Sequence, residues 1–189
     1  MTTNTLRLAI IIGSTRQGRF GPTVARWFAD RARLRHDMTI DVVDLAETRL
    51  PDALGDPTPD VTATSQRLHL ADAFVIVTPE YNHSFPGPLK SAIDWFCPEW
   101  KAKPVGFVSY GGASGGLRAV EHLRHVFAEL HAVTVRDTVS FHGAWARFDT
   151  DGRPHDPDRC NAAADSMLNQ LAWWGHALRD ARQARPYAA

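Results

Sequence analysis

Side chains able to bind an anion cluster in a glycine-rich stretch near the start of the chain, residues 13–21. Ser14 and Thr15 carry hydroxyl hydrogens, and Arg16 or Arg19 can form charge-assisted hydrogen bonds. The stretch lies between an apolar run and a segment with helical spacing, where backbone N–H groups and the helix dipole favour a bound anion. These residues predict a phosphate site. A glycine-rich turn that binds nothing is the alternative.

The glycine spacing excludes two common phosphate motifs. No Gly-Lys-[Ser/Thr] follows, so the stretch is not a P-loop. Gly13, Gly18 and Gly21 also lack the GxGxxG spacing of a dinucleotide site. Asp41 and Asp44 of the next strand could mimic the ribose-binding acid of such a site, but we interpret them as surface charges of an edge strand. The predicted phosphate therefore fits a mononucleotide better.

Two further polar turns follow apolar strands. One is Pro79-Glu80-Tyr81-Asn82 and the other is Ser109-Tyr110-Gly111-Gly112. Tyr81 and Tyr110 could offer ring faces, and Asn82 could hydrogen-bond together with several backbone groups. A tyrosine half-packed in a turn is the alternative for each. Together the turns favour a planar ring system with a polar edge as the guest.

Five strands alternating with five helices must position these turns. Apolar runs predict strands at 6–12, 39–44, 73–78, 104–110 and 132–139. Helical spacing predicts helices at 22–35, 61–71, 87–96, 117–130 and 159–182, the last of which should bury Trp174. The alternation indicates an α/β fold, a flavodoxin-like three-layer α/β/α sandwich whose five-stranded parallel sheet has the order 2-1-3-4-5. The three polar turns should then flank one crevice, within a single domain spanning residues 1–189.

The composition is ordinary for a soluble globular protein, with 44% hydrophobic and 22% charged residues. Lys plus Arg equals Asp plus Glu at 21 each, so no global charge favours nucleic acid or an acidic membrane. Cys97 and Cys160 form no CxxC pair, which argues against a disulfide framework or a structural zinc site. No apolar run reaches the roughly 18 residues of a membrane span, and residues 1–5 lack a signal-peptide pattern. We therefore expect a cytoplasmic protein.

Four stretches resemble the NADPH-dependent FMN reductase family of flavodoxin-like proteins, over nearly the whole chain. They are Gly13-Ser14-Thr15-Arg16, Thr78-Pro79-Glu80-Tyr81-Asn82-His83-Ser84, Pro86-Gly87-Pro88-Leu89-Lys90-Ser91-Ala92-Ile93-Asp94-Trp95 and Ser109-Tyr110-Gly111-Gly112. The second and third are long and specific, whereas the first and fourth would be weak alone. The resemblance implies bound FMN, with contacts at Ser14, Thr15, Arg16, Gly18, Arg19, Phe20, Pro79, Glu80, Tyr81, Asn82, Ser109, Tyr110, Gly111 and Gly112. The first of these regions would hold the phosphate, and the two later turns would lie against the isoalloxazine ring.

The resemblance further implies an NAD(P)H-dependent oxidoreductase. A hydride would pass from the nicotinamide C4 of NADPH or NADH to flavin N5, and electrons would then pass to a quinone, azo compound, metal ion or free flavin, with ping-pong kinetics. Because the cofactor carries this chemistry, we assign no catalytic side chain and expect Glu80 to be structural or to contact a subunit. Holding FMN as a prosthetic group and supplying reduced FMN to a monooxygenase are both open.

A flavodoxin-type electron carrier that does not use NAD(P)H is the alternative from a different class. Carriers of that kind commonly rely on acidic surfaces. The net charge of zero and the arginine in the phosphate loop argue against this class.

Aromatic residues away from the turns have two interpretations. Trp95, Phe96 and Trp100 either pack in the core or form the interface of a homodimer or homotetramer, and we favour the interface. Trp145 and Phe148, in a long loop after the fifth strand, either form a lid over the ring or reach a neighbouring subunit.

The histidines invite a metal-site hypothesis, which we do not favour. His122 and His125 are three apart on one helix and His131 follows, but no convincing third ligand or carboxylate accompanies them. We expect surface histidines and no metal. His83 could border the mouth of the crevice, with polar loop filler as the alternative.

Overall fold

The computed structural model describes residues 5–188 and contains a five-stranded sheet in which every neighbouring pair of strands is parallel. Its strands are β1 (Leu6–Ile12), β2 (Met38–Asp44), β3 (Ala73–Pro79), β4 (Pro104–Gly111) and β5 (Val133–His142). The helices are α1 (Gly21–Arg33), α2 (Pro59–Leu70), α3 (Gly87–Trp95), α4 (Cys97–Trp100), α5 (Leu117–Glu129) and α6 (Pro157–Ala184), with a 3₁₀ turn at Ala144–Ala146. The spatial order is β2-β1-β3-β4-β5, which confirms the predicted fold class.

Burial follows the position of each strand in the sheet. All seven residues of β3 are buried, as expected for a central parallel strand with helices over both faces. In β2 only Met38 and Val43 are buried, which agrees with its place at the edge. The more polar sequence of β2 is therefore explained by its having a single neighbour.

Two apolar layers, one on each face of the sheet, form the core. The layer under α1 and α6 contains Phe28 and Met167, among other buried side chains. The opposite layer, under α2, α3 and α5, contains Leu68, Ile93 and Phe127. The two layers establish the predicted α/β/α arrangement.

The buried face of the last helix, α6, differs from the predicted one. Trp174 was expected in the core but is 36% exposed. The cause is Gly175, which faces the sheet so closely that a Cβ there would lie 2.9 Å from Leu6 Cδ1. Successive helical residues are rotated by about 100°, so Trp173 and Trp174 project outward and contact each other at 4.9 Å between ring centroids.

The aromatic cluster around α3 and α4 also corrects an expectation. Phe96 and Trp100 are each 1% exposed and belong to the core of their own protomer, so these two side chains do not form an interface. Trp95 is partly buried, and its Nε1 donates to the Pro51 carbonyl at 3.1 Å. Association into dimers or tetramers stays a prediction.

Within residues 5–188, no helix combines the length and the apolar character needed to cross a bilayer. The expectation that the chain starts without a signal peptide concerns mainly residues 1–4, which lie outside the described residues.

Candidate functional site

The three predicted turns meet around one cleft at the carboxyl ends of β1, β3 and β4. The cleft has a volume of about 290 Å³. Its lining residues are Arg16, Gln17, Gly18, Arg19, Phe20, Pro79, Glu80, Tyr81, Tyr110, Gly111, Gly112 and Trp145. A larger groove of about 430 Å³ lies at the opposite end of the strands, beside β2 and α2. Only the first cleft gathers the chemistry-bearing turns, at the sheet edge where open α/β sheets bind ligands.

The predicted phosphate loop, residues 13–20, joins β1 to α1. Its start is tight: a Cβ on Gly13 would lie 2.9 Å from Leu89 Cδ2, so a larger residue would require Leu89 to shift. Gly18 has a φ of +68°, a conformation that favours glycine. Phe20 caps α1 without a side-chain hydrogen bond, and the first turn of α1 contains no acidic residue. Pro22 carries no N–H, and the N–H groups of Thr23 and Val24 donate to the Phe20 carbonyl at 3.1 and 3.4 Å.

The two arginines of the phosphate loop have different surroundings. Arg19 donates to both carboxylate oxygens of Asp44, at 2.5 and 2.7 Å, and to the Ser14 carbonyl at 2.9 Å. Asp44 has a side chain only 13% exposed, so the interpretation of it as a surface charge was wrong. Arg16 is exposed and forms no ion pair with any residue from 5 to 188. Arg19 thus ties the loop to β2, while the guanidinium of Arg16 is uncommitted.

Two tyrosines meet Ser14 beneath the phosphate loop. Ser14 is fully buried, and its Oγ lies 2.7 Å from Tyr81 Oη. Tyr110 is 3% exposed and packs edge-on against Phe20, so it does not present a ring face to a guest as predicted. The reason is strand alternation, which turns Tyr110 to the same side as Val108, under α1. Thr15, by contrast, is exposed.

The hydroxyl of Tyr110 is a buried polar atom without a hydrogen-bond partner among the described residues. Burial raises the pKa of Tyr110, so the phenol stays protonated and can donate. Native proteins rarely leave such a group unpaired unless a ligand, ion or water completes it.

The turn after β3 is a two-residue hairpin. Tyr81 and Ser84 exchange backbone hydrogen bonds of 2.8 and 3.0 Å, and Asn82 and His83 both have positive φ, +48° and +72°. Positive φ at both central residues is the type I′ geometry that closes tight hairpins. Asn82 and His83 are consequently exposed at the tip, and neither lines the cleft. The amide of Asn82 is therefore not positioned for a direct contact with a guest in the cleft.

Glu80 uses its carboxylate to cap α5. Its Oε2 accepts from the backbone N–H of Arg118 at 3.2 Å, and its Oε1 accepts from the Arg118 guanidinium at 2.9 Å. Burial favours a raised pKa for Glu80, but hydrogen bonds from Ser114 and Arg118 outweigh it and lower the pKa. This is the structural role expected for Glu80. The same carboxylate thereby accepts from the first turn of α5.

The turn after β4 is shaped by glycines. Ser109 is fully buried and donates its hydroxyl to the Gly115 carbonyl at 2.8 Å, so its side chain supports the turn rather than lining the cleft. Gly116 has a φ of +85°, and a Cβ there would lie 2.7 Å from Ser109 Cβ. At Gly112 a Cβ would meet no atom within 4 Å. The wall of the cleft at Gly112 is therefore open backbone.

The structure of the loop after β5 excludes Phe148, one of the two residues of the lid hypothesis. Phe148 is 6% exposed and packs on Phe20 and Phe141, with ring centroids 5.4 and 4.8 Å apart, so it is a core residue. Trp145 is 66% exposed and lines the cleft. Gln17 lines the cleft too and was not predicted, because an isolated glutamine in a turn gives no sequence signal.

The histidines are placed near the surface. His122 Nδ1 lies 3.0 Å from Ser84 Oγ, and His131 Nδ1 lies 3.0 Å from the Tyr187 hydroxyl. Across residues 5–188, no three His, Cys, Asp or Glu side chains converge as metal ligands would.

Comparison with known proteins identifies the family of this chain. The model of the NADPH-dependent FMN reductase family matches residues 6–146. A 2-hydroxy-1,4-benzoquinone reductase of Burkholderia sp is 33% identical over 187 residues, which cover 94% of this chain and 98% of the relative. A probable NADPH:quinone oxidoreductase of Oryza sativa subsp. japonica is 32% identical over 180 residues, covering 89% and 88%.

A solved structure has the same fold. It is a flavoenzyme NAD(P)H:(acceptor) oxidoreductase from Paracoccus denitrificans, with a TM-score of 0.74 at 21% identity, covering 92% of this chain and 98% of that one. The chain belongs to the NADPH-dependent FMN reductase family and is an NAD(P)H-dependent oxidoreductase whose flavin is FMN.

Proposed function

We propose that the chain binds FMN in this cleft as a prosthetic group and transfers electrons from NAD(P)H to quinone-type acceptors by a ping-pong mechanism. The observation that carries the proposal is the polarity of the cleft. One end offers the uncommitted Arg16 beside the N-terminus of α1, where the helix dipole favours an anion, and the other end offers glycine backbone with aromatic walls. The relatives named for quinone reduction, which are matched over most of their length, favour that acceptor class.

The residues of the cleft fit a flavin mononucleotide. A phosphate needs charge-assisted donors, which Arg16 provides, and the dipole of α1 favours an anion at the same end of the cleft. Arg19 contributes indirectly, because its ion pair with Asp44 and its bond to the Ser14 carbonyl fix the loop.

The turns at 79–81 and 110–112 would hold the ring. When bound, FMN supplies the redox chemistry, accepting a hydride from the nicotinamide and releasing two electrons to the acceptor. In the overall reaction NAD(P)H, one proton from solvent and a quinone give NAD(P)⁺ and a hydroquinone. Because Glu80 is committed to α5 and Tyr110 stays protonated, neither is available as a general base. Binding and orientation are therefore the tasks of this chain.

Two measurements test the mechanism. The protein should remain yellow after extensive dialysis, as a prosthetic group requires; loss of all flavin would instead favour FMN as a substrate. Initial rates measured over a matrix of NADPH and quinone concentrations should give parallel double-reciprocal lines. Intersecting lines would contradict the ping-pong proposal.

A further inference from the structure

Trp145 is a large apolar side chain left in solvent at the mouth of the cleft. It is 66% exposed while lining the same cavity as Arg16 and Tyr81. A single exposed hydrophobic residue needs no explanation in itself. The position of Trp145 and the rigidity of its turn are what distinguish it.

The backbone on both sides of Trp145 is fixed. Gly143 has a φ of +60°, and its N–H donates to the Gly112 carbonyl at 2.9 Å, which attaches the turn to the wall of the cleft. Ala144 is fully buried, and the Ala146 N–H closes the 3₁₀ turn on the Gly143 carbonyl at 2.9 Å. On the far side Phe148 is anchored in the core. The indole is therefore presented by a rigid turn, not by a mobile lid.

The other tryptophans exposed on the surface differ in their surroundings. Trp173 and Trp174 contact each other on α6, with ring centroids 4.9 Å apart. Trp145 contacts no aromatic ring within residues 5–188. An indole with free faces, held at the mouth of a flavin cleft, is suited to a planar guest.

We propose that Trp145 is the acceptor-binding residue of this enzyme and that it selects planar aromatic quinones by stacking on them as they enter the cleft. The inference rests on the proposed function, because it assumes that the quinone reaches the cleft to be reduced. A quinone carries no charge and depends on ring contacts. NAD(P)H carries phosphates of its own and can therefore also form charge-assisted hydrogen bonds. Loss of the indole should consequently affect the quinone more than the nicotinamide.

The test compares Trp145→Ala and Trp145→Phe with Trp173→Ala, a matched control that removes an equally exposed tryptophan from α6. Steady-state rates are measured with NADPH and either 1,4-naphthoquinone or ferricyanide, an octahedral acceptor that cannot stack. For Trp145→Ala we expect the quinone KM to rise about tenfold, equivalent to about 1.4 kcal/mol. The ratio of kcat/KM for quinone to that for ferricyanide should fall by the same factor. Trp145→Phe should keep most of the wild-type ratio, and Trp173→Ala all of it.

A binding measurement complements the kinetics. Titration of the FMN-loaded protein with naphthoquinone, without NADPH, should quench tryptophan fluorescence in the wild type and in Trp173→Ala. The same titration should quench Trp145→Phe much less.

Three results would overturn the inference: an unchanged quinone KM in Trp145→Ala, an equal loss with ferricyanide, or a change of sedimentation coefficient that places Trp145 between subunits. The proposed function fails separately, if NADPH does not bleach the wild-type flavin under argon. If bleaching is normal and Trp145→Ala behaves as wild type, only the role of Trp145 is refuted.

Discussion

Replacement of the buried hydroxyl of Tyr110 should stabilise the FMN-free protein, whereas most substitutions in a protein core destabilise it. Because Tyr110 Oη has no partner in the described structure, Tyr110→Phe removes a group whose burial is uncompensated. Leaving a buried donor unsatisfied costs about 1–3 kcal/mol. We therefore expect the FMN-free Tyr110→Phe protein to be more stable than wild type by about 1–2 kcal/mol. The affinity for FMN should change little, since this buried hydroxyl is not accessible from the cleft.

Gly21 provides an independent check of the same geometry. A Cβ on Gly21 would lie 2.8 Å from Tyr110 Oη and 3.0 Å from Ile12 Cγ2. Overpacking of this kind costs about 1–3 kcal/mol, so Gly21→Ala should destabilise the wild type. In the Tyr110→Phe background the closest of these atoms is gone, and the nearest ring atom is Tyr110 Cζ at 3.7 Å. The double variant should then recover about 1–2 kcal/mol relative to the sum of the two single effects.

Urea unfolding of the FMN-free wild type, both single variants and the double variant measures this coupling. The m-values should be equal, so that midpoints report stability. Additive effects would show that Tyr110 Oη does not lie against Gly21. A less stable Tyr110→Phe protein would show that the hydroxyl is hydrogen-bonded in the absence of FMN, and either result would refute the reasoning.

Three further predictions concern charged side chains. Arg16→Gln should weaken FMN binding by about 10- to 30-fold, because it removes a charge-assisted hydrogen bond. The affinity for riboflavin, which lacks the phosphate, should not change. Arg26→Gln, on the exposed side of α1, is the control. Glu80→Gln should cost about 1 kcal/mol of stability at neutral pH as a lost helix cap, and the difference should shrink as the pH falls below 4.5, since the folded state holds the Glu80 pKa below that value. Burial lowers the pKa of Lys103 from 10.5 to about 8, so the folded protein loses this proton first. The stability of wild type relative to Lys103→Met, followed by urea unfolding, should rise by about 3 kcal/mol between pH 8 and 10.5; a flat difference would contradict the burial of a charged amine.

The order of strands and helices was predictable because the local hydrophobic pattern agrees with the overall fold. The run from Ala73 to Val77 is apolar throughout, and all of it is buried in β3. The glycine-rich loop after β1 lies between a strand and a helix, as the flanking patterns predicted. These signals are local in sequence, and so they survive without a structure.

Pairings that depend on strand register could not be predicted. Asp44 reaches Arg19 because Ile12 is its partner in the β1–β2 ladder, which brings the end of β2 beside the phosphate loop. A sequence does not give that register. Which residue of a helix faces the sheet is similarly non-local, as Trp174 demonstrates beside Gly175.

The face of the sheet to which Tyr110 points could be predicted from the alternation of side chains along β4. Tyr110 shares strand parity with Val108, so the two side chains point to the same face of the sheet. A polar ring next to a glycine turn nevertheless predicts a ligand contact, which conflicts with the alternation of side chains along β4. Strand parity would have placed Tyr110 in the core.

We propose that FMN in this cleft takes electrons from NAD(P)H and passes them to a quinone. An anaerobic titration is the decisive test of this proposal. NADPH is added under argon to the dialysed, FMN-loaded protein, followed by quinone, while the visible flavin band is monitored. We expect one equivalent of nicotinamide to bleach the band and one equivalent of quinone to restore it. A band that neither NADPH nor NADH bleaches, or one that quinone fails to restore, would contradict it.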